Sequence, residues 1–260
     1  MYYDNEKKPA IVMAILLCIC IASFLQWIIF QLLIIGKLGS KSECYAIAQT
    51  FVVLIIAPYL GAITIRTQYT SFLTSKLFLI APISVRDLLF RGLFVSQIPL
   101  LIWVLLSTTF SYFYTESTLI KLILMMIVLC VYCFTSCALG MFGASIFRDS
   151  IFGSEWTYLI FSVFIGSPIL LMSLDRYLQS IQHFIQPILH LNPIIAICHI
   201  YDGMDIFRTP LLYELTPITS YDFSYPHWYI ICLWFMVIGC ICFLWTWQIC
   251  KKNRLYQFNQ

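Results

Sequence analysis

The chain has 260 residues, of which 61% are hydrophobic and 10% charged. A soluble domain is about a quarter charged, so this composition excludes a water-covered globule and points to an integral membrane protein. The formal net charge of +3 is too small to suggest nucleic acid as a partner.

Taken in order, the chain opens with residues 1–9 and then an apolar run over 11–35. That run is too long for a signal h-region, and no small-x-small cleavage site follows it, so it reads as a first membrane anchor and not a removable leader. A spanning helix needs about 20 apolar residues. Six segments qualify: 11–35, 45–65 with a bend at Pro58, 85–113, 119–147, 156–174 and 228–250. The expected fold is therefore all-α, with a single membrane domain over 1–260. Trp27, Trp156, Trp228, Trp245 and Trp247 lie near several span ends, as an aromatic belt requires.

Between the second and third spans stands a polar and basic segment, residues 66–92. Thr67, Thr70, Ser71, Thr74 and Ser75 recur at helical spacing on one side, and Phe72, Leu73, Leu77 and Ile80 line another. Residues 67–80 therefore read as a helix lying flat on the membrane surface. Pro82 stops it, lacking an N–H, and Ser84 with Asp87 forms an S-x-x-D capping box that starts the third span.

The connections 36–43, 114–117 and 148–155 are short, so neighbouring spans form antiparallel hairpins. With the N-terminus inside, ten of the fifteen Lys and Arg fall on the inner side, among them Arg66, Lys76, Arg86, Arg91, Arg148 and Lys251. That bias puts both termini in the cytoplasm of a cell (inner) membrane protein. The one long connection, 175–227, is then outside. Leu178, Ile181, Ile185 and Leu189 give 177–191 a helical period, Asn192-Pro193 breaks it, and a second short helix runs to Tyr201. This outer segment is expected to be interfacial or re-entrant.

The chemistry-bearing residues are sparse. No G-x-x-x-x-G-K-[ST] signature is present, so the chain is not expected to hydrolyse ATP or to act as an enzyme. Apart from the first turns of the third span, which are read as interfacial, the six spans hold no His, Asp or Glu, and one basic residue, Lys121. Their uncharged polar residues include Gln26, Gln31, Ser96, Gln97, Ser107, Thr108, Thr109 and Ser162. Such groups either bond between helices or line a mildly polar path, for which Ser96 and Gln97, close to Pro99, are the candidates. His183, His190, His199 and His227 all lie in the outer segment without tight ligand spacing, and no metal or directly bound cofactor is expected. Most of the eleven cysteines lie in apolar runs and read as small apolar residues. Cys130, Cys133 and Cys137 share a helical face, and Cys44 and Cys198 fall near the outer side, where pairing is an open alternative.

The run Thr74-Ser75-Lys76-Leu77-Phe78-Leu79-Ile80-Ala81-Pro82-Ile83-Ser84-Val85-Arg86-Asp87-Leu88-Leu89 resembles the coupling segment of ABC-2 type transporter permeases. Thr74, Leu77, Pro82, Ile83, Ser84, Asp87 and Leu88 match that pattern. An acidic cluster before the Thr is replaced by Arg66-Thr67-Gln68-Tyr69, and the closing Gly-Lys reads Arg91-Gly92. Asn192-Pro193 and the small residues Gly140, Gly143, Ala144 and Ser145 also resemble family features. The resemblance implies a six-span permease subunit, an exporter by expectation, paired as a homodimer or heterodimer and driven by ATP on a separate ATPase subunit. Thr74, Lys76, Pro82, Ser84, Arg86, Asp87 and Arg91 would meet that ATPase. The other reading is a non-transporting assembly or maturation factor of the cell envelope, for example for haem or copper proteins.

Overall fold

The structure is a computed structural model. It describes the backbone of residues 7–77, 85–115, 117–175, 182–201 and 224–258, and the side chains of 12–66, 85–86, 89–115, 117–169, 185–201 and 224–252. All regular structure among these residues is helical: α1 (Lys7–Ile35), α2 (Lys41–Leu77), α3 (Val85–Leu93), a 3-10 turn (Val95–Gln97), α4 (Ile98–Thr115), α5 (Leu119–Phe147), α6 (Ser150–Asp175), α7 (Gln182–Leu191), α8 (Ile195–Ile200) and α9 (Trp228–Phe258). Five stretches are long and apolar enough to cross a membrane: Val12–Ile35, Lys41–Arg66, Leu89–Thr115, Leu119–Phe147 and Trp228–Lys252. The chain is thus a multi-pass helical membrane protein. The expected span at 156–174 is helical, within α6, but is not among the five. Ser154, Glu155, Thr157, Gly166 and Ser167 dilute the described part of that helix.

Two expectations are corrected. Residues 67–77 do not form a separate flat helix; they continue α2, which runs unbroken from Lys41 to Leu77. The sequence supplies no Gly or Pro between Ala62 and Leu77 to interrupt it. At about 1.5 Å per residue its 37 residues far exceed an apolar layer about 30 Å thick. The third span, in turn, is not one helix but α3, a 3-10 turn and α4. Pro99 explains the break, because it cannot donate to Val95 and crowds the preceding turn. The Ile98 N–H takes the Val95 carbonyl instead.

The hairpin ends are closed by local bonds. Lys37 takes a left-handed conformation, φ 52°. The Leu38 N–H reaches the Leu33 carbonyl at 3.2 Å and the Lys37 N–H reaches Ile34 at 3.0 Å, the paired bonds of a Schellman ending. Two residues on, a capping box opens α2. The Ser40 N–H donates to Glu43 Oε2 at 2.6 Å, and the Glu43 N–H donates back to Ser40 Oγ at 3.4 Å. Between α5 and α6, Arg148 is left-handed, and Asp149 Oδ1 caps α6 by accepting from Ile151 and Phe152. The predicted box at Ser84 and Asp87 lies outside the described side chains.

The core is α2 against α5. Nearly three quarters of α2's apolar window is buried (72%), against 11% for α1. Where α2 and α5 cross, a Cβ on Gly140 would overlap the backbone of Pro58, and one on Gly61 would lie 2.7 Å from Cys137 Sγ. Small residues here let the two backbones touch. Pro58 disturbs the carbonyls of its own turn, and neighbours satisfy two of them. Tyr158 donates to Ile55 O at 2.7 Å and Gln97 Nε2 to Ala57 O at 3.2 Å. In α6, Pro168 frees the Phe164 carbonyl, and Ser167 Oγ takes it at 2.7 Å.

Gly140→Ala is expected to lower stability by about 2 kcal/mol or more, or to prevent folding. Gly166→Ala, with nothing within 4 Å of its Cβ, should be neutral or gain up to about 1 kcal/mol. Thermal unfolding followed by size exclusion in detergent measures both.

Candidate functional site

The described residues divide the intramembrane polar groups into two sets. The first surrounds Pro58 of α2 and the 3-10 turn before α4. Gln97 is 2% exposed, and its Nε2 bonds to Ala57 O and, at 2.9 Å, to Ser96 Oγ. Ser96 Oγ and Cys137 Sγ both reach the Gly92 carbonyl, at 2.5 and 3.2 Å. Gln97 Oε1 has no partner. The two path candidates therefore stand in the seam between α2 and α5, holding carbonyls near two prolines.

The second set opens to a cavity. α1, α2 and α4 enclose a cleft of about 590 Å³, walled by Trp27, Phe30, Tyr45, Trp103, Phe110 and Tyr114, with Ser23, Gln26, Gln31 and Ser107 as its polar positions. Helical spacing builds it. On α1, Ile19, Ser23, Gln26, Trp27, Phe30 and Gln31 recur every three or four residues, and on α4 so do Trp103, Leu106, Ser107, Phe110 and Tyr114. The aromatic rings pack mutually: Phe30 and Tyr45 lie edge to face at 5.8 Å, and Phe110 stacks on Tyr114 at 5.5 Å.

Ser107 is the hub of the polar groups. Gln49 Nε2 donates to Ser107 Oγ at 2.9 Å, and Ser107 Oγ donates to Gln26 Oε1 at 2.8 Å. The Tyr45 hydroxyl donates to the Ser107 carbonyl at 3.1 Å and lies 3.0 Å from its Oγ. Trp103 Nε1 donates to Ser23 Oγ at 3.2 Å. These bonds tie α1 to α4 and α2, and they end on an unmet group, since Gln26 Nε2 is buried and has no partner. None of the lining residues is Asp, Glu, Lys, Arg or His. The cleft thus presents ring faces, hydroxyls and amides and no formal charge.

Of the polar residues singled out by sequence, the structure brings Gln26, Gln31 and Ser107 to this cleft, with Thr108 at its back, 3.4 Å from Gln49 Nε2. Thr109 instead bonds its own helix at Leu105 O, and Ser162 is exposed. Tyr45, Gln49 and Trp103 escaped sequence reasoning. The available signal was a Gln in a mostly apolar stretch, four residues past the start of the expected second span.

Arg86 and Arg91 are exposed on α3, at the end of the bundle that also holds Arg148 and Lys251. Thr74 and Lys76 lie in α2 and Asp87 in α3, outside the described side chains, and Pro82 and Ser84 lie outside the described residues.

At the opposite end, the expected helix, the break at Asn192-Pro193 and the second short helix are present as α7 and α8. Asn192 Oδ1 accepts from the Ile194 N–H at 3.0 Å and its Nδ2 reaches Ile165 O. Tyr132 donates to Pro193 O at 2.7 Å. Ile195, Ala196, Ile197 and Cys198 are fully buried, so this segment is set into the bundle. Cys44 and Cys198 are both fully buried. Lys121 stands over the Tyr201 ring at 5.5 Å. His199 and His227 approach to 2.6 Å, and burial, with repulsion from His227, lowers the His199 pKa. The side chain of His183 lies outside the described set. Among the described residues no three His, Cys, Asp or Glu converge as metal ligands. Compared with family models, curated proteins and solved structures, the chain matches none.

Two outcomes follow from these geometries. Ser107→Ala leaves Gln49 and Gln26 short of a partner and is expected to cost about 1–3 kcal/mol, seen as a fall in Tm that Thr109→Ala does not share. A His held neutral when folded is stabilising above its unfolded pKa of about 6.5 and loses that contribution as the pH falls below it. The protection of α8 amides against hydrogen exchange, taken relative to the intrinsic rate at each pH, should therefore fall on acidification through that range, and His227→Gln should weaken the response.

Proposed function

We propose that the chain is the permease subunit of an ATP-driven ABC-2 type transporter, an exporter, working as a homodimer or heterodimer on two separate ATPase subunits in the cell membrane. The observation that carries this reading is the neutral, aromatic-walled cleft between membrane-length helices, with a hydrogen-bonded chain of uncharged side chains leading to it. It accompanies a coupling-like segment at the end of the bundle richest in exposed Arg and Lys. On this reading α6 supplies the fifth of six spans, both termini are cytoplasmic, and Thr74, Lys76, Pro82, Ser84, Arg86, Asp87 and Arg91 form the contact with the ATPase.

The unbroken α2 gives the proposed coupling a direct route. A push on residues 67–77 is a push on the same rod that carries Tyr45 and Gln49, because a helix without a break transmits displacement along its axis. The break at Pro99 then lets α3 shift while α4 holds its bonds to α1. The substrate moves through helices that contribute hydrogen bonds and no charge, which suits a molecule that is itself lipid-soluble.

The test is purification of the tagged chain from its native membrane. A co-purifying subunit with a Walker A sequence is expected, whose ATP hydrolysis rises with the permease present. Pro82→Ala, and Ser84→Ala with Asp87→Ala, should cut that stimulation about tenfold while leaving insertion intact. Full stimulation in both variants, or purification without any ATP-binding subunit, rules the assignment out.

A further inference from the structure

We propose that the cleft between α1, α2 and α4 is a binding site for an uncharged, lipid-soluble small molecule that carries a hydrogen-bond acceptor such as a carbonyl. The proposal rests on the permease reading only for what such binding is for.

Charge settles the first part. With no ionisable Asp, Glu, Lys, Arg or His in the wall, a charged ligand would enter an apolar phase unpaired, at high cost. Shape settles the second. About 590 Å³ falls within the range of small-molecule sites, roughly 300–1,000 Å³. The walls are flat ring faces. Trp27 and Phe110 stand at the rim, 58% and 57% exposed, on helices of membrane length, so the opening faces sideways and is reached from the lipid.

The acceptor follows from the direction of the hydrogen bonds. Gln49 donates to Ser107, and Ser107 donates to the Gln26 carbonyl. Each link polarises the next, so the Gln26 amide N–H is a strengthened donor. It belongs to a residue only 6% exposed, it has no partner and is closed off from water beside the Tyr45 hydroxyl, so it meets a ligand only when the cleft side chains part. An acyl chain from bulk lipid can fill an apolar groove but has nothing to offer this donor. Lipid ester carbonyls do not reach it either. Gln26 lies nine residues, about 14 Å along the helix, from the Ile35 end of the span Val12–Ile35, well within a hydrocarbon layer about 30 Å thick. A smaller carbonyl-bearing molecule dissolved in that layer meets the rings and, once the side chains around Gln26 part, the amide.

Benzophenone is a suitable probe, being neutral, aromatic, built on a carbonyl, and photoreactive toward neighbouring C–H bonds. The full chain in lipid nanodiscs is irradiated across a benzophenone series, and adducts are mapped by mass spectrometry. Saturable labelling is expected in 19–31 and 103–114. Gln26→Leu should raise the half-saturating concentration about fivefold, the loss of one hydrogen bond. Leu233→Ala, on an exposed face of α9, should leave it unchanged. If Gln26→Leu does not fold, Trp27→Ala serves in its place, since Trp27 is exposed and outside the hydrogen-bond chain, and it too should weaken labelling. Adducts that rise without saturation over every exposed apolar face would overturn the proposal. So would an unlabelled cleft, as when a helix of a second copy fills it, or saturable labelling indifferent to whichever of Gln26→Leu and Trp27→Ala folds. The ATPase takes no part in this measurement. Its failure removes the ligand class, whereas absence of an ATP-binding partner removes the transporter assignment.

Discussion

The bundle depends on the contact between the Pro58 turn of α2 and Gly140 of α5. In an apolar medium every backbone group must find its partner inside the protein, and a proline in mid-span leaves carbonyls without one. Here the problem is solved by neighbours. α5 comes close enough to cover the turn because position 140 has no side chain. α6 sends Tyr158 to Ile55 O, and the turn before α4 sends Gln97 to Ala57 O. Four elements are thereby fixed to one point. A larger residue at 140 would separate the backbones, and the donors from α4 and α6 would then no longer reach.

Away from that point the packing loosens in a definite order. α2 and α5 are mostly buried, α9 and the stretch around α4 less so, and α1 least. α1 is held by ring contacts and by few polar bonds, chiefly Trp103 to Ser23 and Ser107 to Gln26. Interhelical hydrogen bonds in membranes are worth about 0.6 kcal/mol on average. A wall held this lightly can move relative to the α2–α5 axis without disturbing it, which suits a cleft that must admit and release a molecule.

Much of this fold is legible in the sequence, because apolar runs about 20 residues long have few other uses. The short connections and the break at Asn192-Pro193 were likewise readable, since Gly, Pro and Asn act locally. Three features were not. The flat helix over 67–80 was inferred from an amphipathic face, yet a face alone does not end the preceding helix, and nothing between Ala62 and Leu77 does so. The cluster around Ser107 is a second one: a nearby proline draws attention to Ser96 and Gln97, which bond to the Gly92 and Ala57 carbonyls, and nothing comparable marks Ser107. Ser107 and Gln49 are 58 residues apart, and their meeting is a property of helix rotation. In a soluble helix the apolar stripe reveals that rotation. Here the lipid-facing and core-facing sides are both apolar, so Leu105 at 56% exposure and Val104 at none look alike in the sequence.

The cysteines acquire a practical meaning from where they sit. Cys44, Cys133, Cys137, Cys198, Cys232, Cys242 and Cys250 are buried, and Cys18, Cys20, Cys130 and Cys240 lie on membrane-length helices. Alkylation by maleimides proceeds through the thiolate, which needs water to form. The native sulfurs are therefore silent toward aqueous, membrane-impermeant reagents, and a reporter cysteine placed in a connecting loop gives its signal over a dark background. The wild-type chain can be surveyed side by side without first being stripped of thiols that, like Cys137 on Gly92 O, hold its backbone in place.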